Sequence, residues 1–414
     1  MERVLIVGNG YAGLQAARTL ASKEGFSVTM TSAEKCPAYI PHLLPELVAG
    51  KKEAADLSLA RGGEYAELKV DFRAGAQVMT LSAEKRTALL STGETLSFDK
   101  ALIAAGAIPY VPQDFEDLPA RCENVLLMKR LLDALLLKKF LAQGASRIVI
   151  VGAGRVGMLL AEALKERGVS VTVVEIGPEI LATMLQADVA ALLHPVLRER
   201  RHLRLCTGAR IESIDAENGR AREVRLSDGT LLPCDAVVIA TGVAPNTGFM
   251  ENGPAYGEGL SVDHRMETAA SGIYAAGDVV RFETITGRSE VGQLAQNARL
   301  QGEIAARNIA GEKALCPPSF IGNVVKLDPV IAARIGDIDG TDQADFRAGR
   351  SFARVTFAGH AAVGVQLVGD PEDLRGLAPA VLKKIPREDL RDLLQGRLDL
   401  GLAPLLAARS HSWA

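Results

Sequence analysis

The chain has little of several features that commonly assign a protein to a class. Only 4% of its 414 residues are aromatic, with a single tryptophan, and its formal net charge is −3. A nearly neutral chain without a long basic run argues against nucleic-acid binding, because phosphate contacts need clustered lysine and arginine. No stretch approaches the roughly 20 apolar residues that span a bilayer. The composition therefore predicts a globular protein that neither binds nucleic acid nor crosses a membrane.

Cysteine is scarce and shows no pattern. The five cysteines, at positions 36, 122, 206, 234 and 316, have no C-x-x-C spacing, and the histidines do not cluster. Neither a disulfide framework nor a metal site is expected. A hydrophobic strand begins at Val4, which leaves no room for a signal or transit peptide, so we expect a cytoplasmic protein. The length predicts about three domains.

A glycine motif does stand out at the start of the chain. The apolar run from Val4 to Val7 is typical of a buried parallel strand, and Gly8, Gly10 and Gly13 follow it as G-x-G-x-x-G at the junction with a helix. The first glycine permits a tight turn, the second admits a pyrophosphate, and the third allows close packing of helix on strand. The pyrophosphate would face the N–H groups at the helix start.

A second copy of the motif strengthens this interpretation. Gly152, Gly154 and Gly157 again separate an apolar strand from an amphipathic helix. The next strand leads to Glu175, 23 positions after Gly152, which is near the spacing of an acid that binds ribose hydroxyls. A carboxylate there repels a 2′-phosphate, and residues 176–180 contain no arginine. NADH is therefore favoured over NADPH.

Two later signatures decide which cofactor the first loop binds. One apolar strand ends in Ala240-Thr241-Gly242, and another ends in Gly277-Asp278. With these four ordered motifs, over about residues 1–315, the chain resembles the FAD-dependent pyridine nucleotide-disulfide oxidoreductases. The resemblance implies FAD at the first loop, NAD(H) at the second, and Asp278 beside the ribityl and pyrophosphate part of FAD. From the residues alone, Asp278 is also a candidate helix N-cap.

The expected cofactor contacts follow from the motifs and the resemblance. Where the first unit would usually have its ribose-binding acid stands Ser32, with Glu34 two residues on, and the sequence leaves the choice between them open. The expected FAD contacts are Gly8, Gly10, Tyr11, Ala12, Gly13, Ser32, Glu34, Pro41, Val78, Ala105, Gly106, Gly277 and Asp278. The expected NAD(H) contacts are Gly152, Gly154, Arg155, Val156, Gly157, Glu175, Thr241 and Gly242.

The resemblance also implies the architecture. We expect an α/β fold with two Rossmann-like dinucleotide-binding domains and a small α+β C-terminal domain. The FAD domain would be discontinuous, comprising residues 1–108 and 243–315, with the NAD domain at 109–242 and the C-terminal domain at 316–414. Short β-rich runs followed by helical patterns support the last assignment. In the family such a domain supports dimerisation or covers the flavin edge.

The segment PAYIPHLLPELVAG bears on the electron acceptor. It is similar to a segment of NADH:rubredoxin or ferredoxin reductases and of nitrite reductase flavin modules, which have no redox-active thiol. Pro41 replaces an arginine of that segment, and Leu159 replaces an acid usual after the second glycine motif. Cys36 lies about six residues before the position of a reactive thiol in related oxidases, where His42 stands instead. His42 is thus a candidate for proton handling or flavin tuning.

These observations predict an FAD-dependent NADH:acceptor oxidoreductase. Its partner would be a rubredoxin-like or ferredoxin-like protein, including an iron–sulfur subunit, and the chain could form a homodimer. One alternative is an NADH oxidase, or a coenzyme A-disulfide or peroxide reductase, that uses Cys36. Another is a flavoprotein that senses NADH or acts in assembly. The sequence gives neither the identity of the acceptor nor the direction of electron flow.

Overall fold

The computed structural model describes residues 1–292, 294–319 and 321–394. Its contacts divide the chain into two units. The first unit comprises residues 1–110, 129–131 and 242–320. The second unit comprises residues 111–128, 132–241 and the described residues from Ile321 to Leu394. The second unit thus combines the predicted NAD domain with the C-terminal segment, and the division into three domains stays a prediction.

The elements are numbered along the chain. The α-helices are α1 (Tyr11–Ala21), α2 (Leu44–Ala49), α3 (Glu64–Glu67), α4 (Leu118–Arg121), α5 (Leu131–Ala142), α6 (Arg155–Leu164), α7 (Ala187–Ala190), α8 (His194–Arg198), α9 (Ala295–Ile309), α10 (Asp373–Leu382) and α11 (Arg387–Leu394). Short 3₁₀ helices lie at Pro41–Leu43, Ala54–Leu57, Gln113–Phe115, Lys165–Arg167 and Ala191–Leu193. The strands of the first 150 residues are β1 (Glu2–Val7), β2 (Phe26–Ser32), β3 (Asp71–Ala74), β4 (Val78–Ser82), β5 (Thr87–Leu90), β6 (Thr95–Ser97), β7 (Lys100–Ile103), β8 (Ala107–Pro109), β9 (Val125–Leu126) and β10 (Arg147–Val151). The later strands are β11 (Ser170–Val174), β12 (Leu203–Cys206), β13 (Ile211–Glu217), β14 (Arg220–Leu226), β15 (Leu231–Pro233), β16 (Ala236–Ile239), β17 (Val243–Pro245), β18 (Leu260–Ser261), β19 (Ile273–Ala275), β20 (Val280–Glu283), β21 (Ser289–Val291), β22 (Gly322–Leu327), β23 (Val330–Gly336), β24 (Gln343–Ala348), β25 (Ser351–Ala358) and β26 (Ala361–Gly369).

The first unit is built on a parallel sheet with strand order β19-β7-β1-β2-β3. The apolar run of β1 is buried from Val4 to Val7, as expected for a strand covered on both faces. In this sheet β1 lies between β2 and β7, so the strand order reverses at β1. The loop that follows β1 lies at the carboxyl edge of the sheet at this point. Ligands bind at this point in open α/β sheets.

The second unit repeats this plan. Its parallel sheet has the order β12-β11-β10-β16-β9. In each unit a strand, a helix and two further strands are followed by a three-stranded antiparallel meander, and the fourth sheet strand comes after the meander. The units differ in the fifth strand, because β19 comes late in the chain whereas β9 precedes β10.

The C-terminal segment forms an antiparallel sheet of order β22-β23-β26-β25-β24, followed by α10 and α11. The predicted α/β class, with two Rossmann-like folds and a small α+β part, is therefore confirmed. Pro386 lies between α10 and α11, and Gly396, where the sequence predicts a further break in the helical pattern, lies outside the described residues. Among residues 1–394, apart from the gaps at 293 and 320, no helix has the length and hydropathy to cross a membrane.

One local prediction was wrong. Asp278 does not cap a helix, because β20 begins two residues later and α9 starts only at Ala295. The segment 101–109 divides into β7 and β8 around Gly106, whose φ of +66° breaks the extended conformation.

Candidate functional site: two dinucleotide loops

The loop after β1 is shaped by close backbone contacts. A Cβ added at Gly8, which has a φ of +111°, would lie 2.2 Å from the carbonyl oxygen of Ala104. One added at Gly13 would lie 2.0 Å from the carbonyl oxygen of Gly8. At Gly10 the same Cβ would meet no described atom within 4 Å. Gly8 and Gly13 therefore serve packing, while Gly10 leaves open space on the side from which a ligand approaches.

The start of α1 faces that open space. Among the described residues, no side chain caps this helix at Gly10, so its first N–H groups can receive an anion. A pyrophosphate fits both observations, because it needs a close backbone approach and N–H donors. The first loop thus fits the FAD that the motif predicts.

The second loop reproduces this geometry. A Cβ at Gly152 would lie 2.6 Å from the Ala240 carbonyl oxygen, and one at Gly157 would lie 2.0 Å from that of Gly152. Gly154 again faces open space, with no side-chain cap on α6 among the described residues. The loop also contacts the predicted Ala240-Thr241-Gly242 turn, because the Gly152 Cβ would lie 3.1 Å from Thr241 Cα.

The Gly277-Asp278 turn lies beside α1, as its predicted role requires. A Cβ at Gly277 would be 3.3 Å from the Cβ of Ala12, which is buried. The Gly277 N–H donates to Gln301 Oε1 of α9 at 2.9 Å. This bond and a tight contact between Gly302 and the Ala12 carbonyl oxygen, where a Cβ would come within 2.2 Å, join α9 to the start of α1. Asp278 itself is half-buried.

The end of β2 shows how its two candidate ribose residues are arranged. Ser32 is the last residue of β2 and is buried, and its Oγ accepts the Glu34 N–H at 3.2 Å. The Glu34 carboxylate accepts the Tyr39 hydroxyl at 3.0 Å and 3.2 Å. The Tyr39 oxygen in turn accepts the Leu131 N–H at 3.1 Å. Burial, followed by the charge of Glu34, strongly raises the pKa of Tyr39, so Tyr39 remains a donor at physiological pH.

Cys36 lies in the same network, in surroundings that suppress thiolate formation. Burial raises the pKa of the Cys36 thiol, and the negative charge of Glu34 raises it further. Its Sγ lies 4.0 Å from Glu34 Oε2. A reactive thiol needs the opposite conditions, namely neighbouring cations or a helix N-terminus.

Sequence reasoning missed a second tyrosine that supports this loop. The Tyr65 hydroxyl donates to Asn9 Oδ1 at 2.7 Å and accepts the Ala38 N–H at 3.0 Å. Asn9 also donates to the Cys36 carbonyl oxygen at 3.4 Å. Asn9 lies within the first glycine motif, so Tyr65 connects that motif to the loop after β2. The chain has only six tyrosines. This scarcity is the feature of the sequence that could have drawn attention to Tyr39 and Tyr65.

Glu175 of the second unit is held by backbone rather than by side chains. Its carboxylate accepts the Ala153 N–H at 2.7 Å and the Gly177 N–H at 2.8 Å. The Leu181 N–H donates to the Ala153 carbonyl oxygen at 2.9 Å, so the loop after β11 folds onto the glycine loop. A carboxylate oxygen accepts more than one hydrogen bond, so Glu175 can still bind ribose hydroxyls.

Other predicted residues of the first unit lie around the β8–β17 ribbon. The Asn246 N–H donates to the Gly106 carbonyl oxygen at 3.0 Å. The side-chain amide of Asn246 donates to the Ala105 carbonyl oxygen at 3.5 Å. Val78 is buried and lines a surface cleft together with Asn246 and Phe249.

The remaining predicted residues differ in exposure. Pro41 and His42 are exposed in the 3₁₀ helix before α2. In the second unit, Arg155, Val156 and Leu159 are half-buried on α6, and Arg155 Nη1 donates to Asn323 Oδ1 of β22. That last contact was also missed by sequence reasoning.

A family model described as pyridine nucleotide-disulphide oxidoreductase matches residues 2–302. The chain belongs to this family. It is accordingly an NAD(H)-dependent flavoprotein oxidoreductase with FAD and NAD(H) as cofactors, which confirms the predicted family, enzyme class and cofactors.

Three curated relatives are each 29% identical to the chain. The epsilon subunit of NADH-dependent phenylglyoxylate dehydrogenase from Aromatoleum evansii aligns over 75% of this chain and 73% of its own. An NADH oxidase from Methanocaldococcus jannaschii aligns over 78% and 74%. The ferredoxin–NAD(+) reductase subunit of the benzene 1,2-dioxygenase system of Pseudomonas putida aligns over 76% of each. Their names share NAD(H) chemistry and differ in the reaction partner.

Solved structures support the fold. The covalent putidaredoxin reductase–putidaredoxin complex matches with a TM-score of 0.84 at 21% identity, over 96% of this chain and 99% of that one. The match extends through the C-terminal sheet, beyond the residues covered by the family model.

Proposed function

We propose that this enzyme takes hydride from NADH and passes single electrons to a ferredoxin-like or rubredoxin-like protein. FAD, when bound, supplies the conversion between two-electron and one-electron transfer. The observation that carries the proposal is the environment of Cys36, whose Sγ lies 4.0 Å from Glu34 Oε2 and whose pKa is raised by burial and further by the charge of Glu34. A protonated thiol is a poor nucleophile, so no relay through Cys36 is expected. The ferredoxin–NAD(+) reductase relative supports the same partner class.

A thiol substitution tests this proposal. We expect Cys36→Ser to keep wild-type rates of flavin bleaching by NADH in rapid mixing and of ferricyanide and ferredoxin reduction in steady state. Cys206→Ser is the matched control, because Cys206 is also a half-buried free thiol. A large loss of ferredoxin reduction in Cys36→Ser alone would overturn the proposal and favour a thiol-dependent reductase.

A second candidate function rests on the relative named NADH oxidase. Oxygen would then be the physiological acceptor. Oxygen consumption and ferredoxin reduction, measured with one preparation at saturating NADH, separate the candidates. Ferredoxin reduction that greatly exceeds oxygen consumption favours the first, and the reverse favours an oxidase.

We further propose that the natural partner is an iron–sulfur subunit of a larger enzyme, since one relative is itself a named subunit of a dehydrogenase. Affinity capture from the native host, with iron and sulfide analysis of the captured protein, tests this. Capture of the chain only as a monomer or homodimer contradicts it.

Within the FAD site, we propose that Glu34 rather than Ser32 holds the ribose. Ser32 is buried and its Oγ already accepts the Glu34 N–H, whereas the Glu34 carboxylate is half-exposed and oriented by Tyr39. Glu34→Ala should therefore weaken FAD retention more than Ser32→Ala. Equal retention by both variants would contradict the assignment.

We propose that Glu175 holds the NADH ribose. Glu175→Ala should therefore weaken NAD⁺ binding without loss of FAD.

We propose that His42 handles a proton near the flavin. His42→Gln should slow electron delivery to the acceptor and leave flavin bleaching by NADH unchanged. Unchanged turnover in His42→Gln would remove this residue from the site.

A further inference from the structure

A row of polar residues crosses every strand of the C-terminal sheet. Pairing between strands places Asn323 opposite Arg334, Arg334 opposite Gln366, Gln366 opposite Arg354, and Arg354 opposite Asp345. Residues directly opposite one another lie on the same face of a sheet. We call these five residues the polar row. A continuous polar row at this position is unusual, because neighbouring residues of β25 and β26 are buried and apolar.

Three members of the row bond a segment that follows the NAD ribose loop. The bonds run from Arg334 Nη1 to Thr183 O (2.9 Å), from the Gln186 N–H to Gln366 Oε1 (2.6 Å), and from Arg354 Nη1 to Gln186 Oε1 (3.0 Å) and Asp188 Oδ1 (2.9 Å). Gln366 is fully buried and Arg354 is mostly buried. The two bonds of Gln186 are part-buried, whereas those to Thr183 and Asp188 are exposed, and together they hold residues 183–188 on the sheet.

A fourth member, Asn323, contacts the glycine loop itself. Its Oδ1 accepts from Nη1 of Arg155, the first residue of α6. Arg155 directly follows Gly154, whose open side is where a pyrophosphate would approach. The row thus contacts both sides of the proposed NADH site, namely the loop that leads into α6 and the segment beyond Glu175.

The bond to Asn323 suits Arg155 for binding a dinucleotide. A guanidinium has five N–H donors in a planar fork, so a bond to an amide oxygen still allows it to donate to phosphate. An arginine side chain loses rotamer entropy when it becomes ordered. Asn323 imposes that order before the ligand arrives, and such preorganisation increases affinity.

The far end of α6 is anchored separately to the same sheet. Lys165 and Arg200 both pair with Glu162 of α6. Lys165 Nζ lies 3.2 Å from Asp328 Oδ2, in the turn after β22, and Arg200 Nη2 donates to the Asp328 carbonyl oxygen at 2.7 Å. The Asp328 carboxylate is largely exposed. This second anchor supports α6 without contacting its glycine loop, so it provides a control for purely structural effects.

We propose that Asn323 is a positioning residue for NADH, which makes the C-terminal sheet part of the dinucleotide site. It holds the Arg155 guanidinium where it can donate to the pyrophosphate. This inference rests on the NADH site proposed above. Its expected signature is a change in dinucleotide affinity with no change in turnover at saturating NADH.

Titration calorimetry of the FAD-loaded full chain with NAD⁺ tests the proposal. We expect Asn323→Ala to bind NAD⁺ about tenfold more weakly, as for loss of one hydrogen bond to a charged group. Asn323→Asp should bind more weakly still, because its carboxylate neutralises Arg155 and repels pyrophosphate. Asp328→Asn, the control, removes only the exposed pair with Lys165, so it should bind NAD⁺ within about twofold of the wild type and change the melting temperature little.

Kinetics and a double variant complete the test. With ferricyanide as acceptor, Asn323→Ala should raise KM for NADH and leave kcat unchanged. Arg155→Met should show the same defect, and the Arg155→Met/Asn323→Ala double variant should be no worse than Arg155→Met. Wild-type or tighter NAD⁺ binding by Asn323→Ala overturns the inference, as does a defect that adds to that of Arg155→Met.

The cycle remains informative if Asn323→Ala does not fold, since Asn323→Ser also removes the amide acceptor and is subject to the same outcomes. Failure of the proposed function looks different from failure of this inference. A wild-type protein that binds NAD⁺ but reduces no ferredoxin loses only the proposed acceptor. Normal NAD⁺ binding by Asn323 variants removes only the positioning role.

Discussion

The two nucleotide loops have the same backbone contacts but hold their acidic residues differently. In both loops the first and third glycines lie so close to a carbonyl oxygen that no side chain fits, and the second faces open space. The likeness does not extend to the residues that orient the two acids. Glu34 is oriented by the Tyr39 side chain, whereas Glu175 is oriented by the N–H groups of Ala153 and Gly177.

Backbone packing determines the glycine contacts of both loops, whereas the groups that orient the acidic residues differ between the two sites. The glycine contacts follow from a helix lying close to a parallel sheet, so the sites for two different dinucleotides share them. The FAD-side acid depends on a hydroxyl that substitution can remove. The NAD-side acid depends on main-chain donors that no side-chain substitution removes directly. We therefore expect the first site to be more sensitive to substitutions around its acid.

The largest effect should come from filling the third glycine of either loop. Gly13→Ala and Gly157→Ala each place a Cβ 2.0 Å from a carbonyl oxygen, and the helix must move away from the sheet. We expect each to reduce the free energy of unfolding by about 3 kcal/mol. Chemical denaturation checks this. A loss confined to one variant would show that the two loops are not equivalent.

Alanine at the second glycine of either loop should instead weaken ligand binding without reducing the stability of the fold. Gly10 and Gly154 have room for a Cβ, so alanine there should leave the melting temperature of the ligand-free protein within a few degrees of wild type. Gly10→Ala should lose FAD, and Gly154→Ala should weaken NAD⁺ binding about tenfold while retaining FAD, because the added methyl meets the pyrophosphate. FAD content and NAD⁺ calorimetry measure the two effects. Exchanged defects would reverse the cofactor assignment.

A smaller effect should follow from Tyr39→Phe. This change removes the donor to Glu34 and the acceptor for the Leu131 N–H, which predicts about fivefold weaker FAD binding. Tyr256→Phe is the control, since Tyr256 is 63% exposed in the same unit. FAD release measured by fluorescence compares them. Equal release rates would mean that the Glu34 carboxylate does not need Tyr39.

A further expected effect concerns stability at alkaline pH, where each unit has a buried thiol. Burial raises the pKa of Cys234 in the second unit to about 11 and that of Cys316 in the first to about 12. Unfolded thiols ionise near about 8.5, so above that pH the unfolded state alone loses protons and stability falls until the folded pKa is reached.

Alanine at Cys234 or at Cys316 should reduce the loss of stability with rising pH in the unit that contains it. Melting temperature measured from roughly pH 8 to pH 11 checks the expectation for Cys234→Ala and Cys316→Ala. A slope that both variants leave unchanged would assign the alkaline decline to other groups.

The sequence predicted those parts of the fold that depend on local pattern. Apolar strands followed by glycine motifs identified β1 and β10, and the turn at Gly277-Asp278 was found because its residues are contiguous. The N-cap expected at Asp278 was wrong because β20 pairs with β18 and β21 there, and no local pattern encodes that pairing. The bond between Tyr39 and Leu131 joins positions 92 residues apart, so only the folded chain reveals it.

The polar row has a consequence for modular exchange between relatives. Four residues of the polar row form hydrogen bonds to Arg155 and to segment 183–188 of the nucleotide-binding part of the second unit, namely Asn323, Arg334, Gln366 and Arg354. The C-terminal sheet is therefore not an independent module. A chimera that receives this sheet from another family member would place foreign side chains against Arg155 and segment 183–188. Grafts should therefore succeed when the junction moves both partners of each bond together, and lose dinucleotide affinity when it separates them.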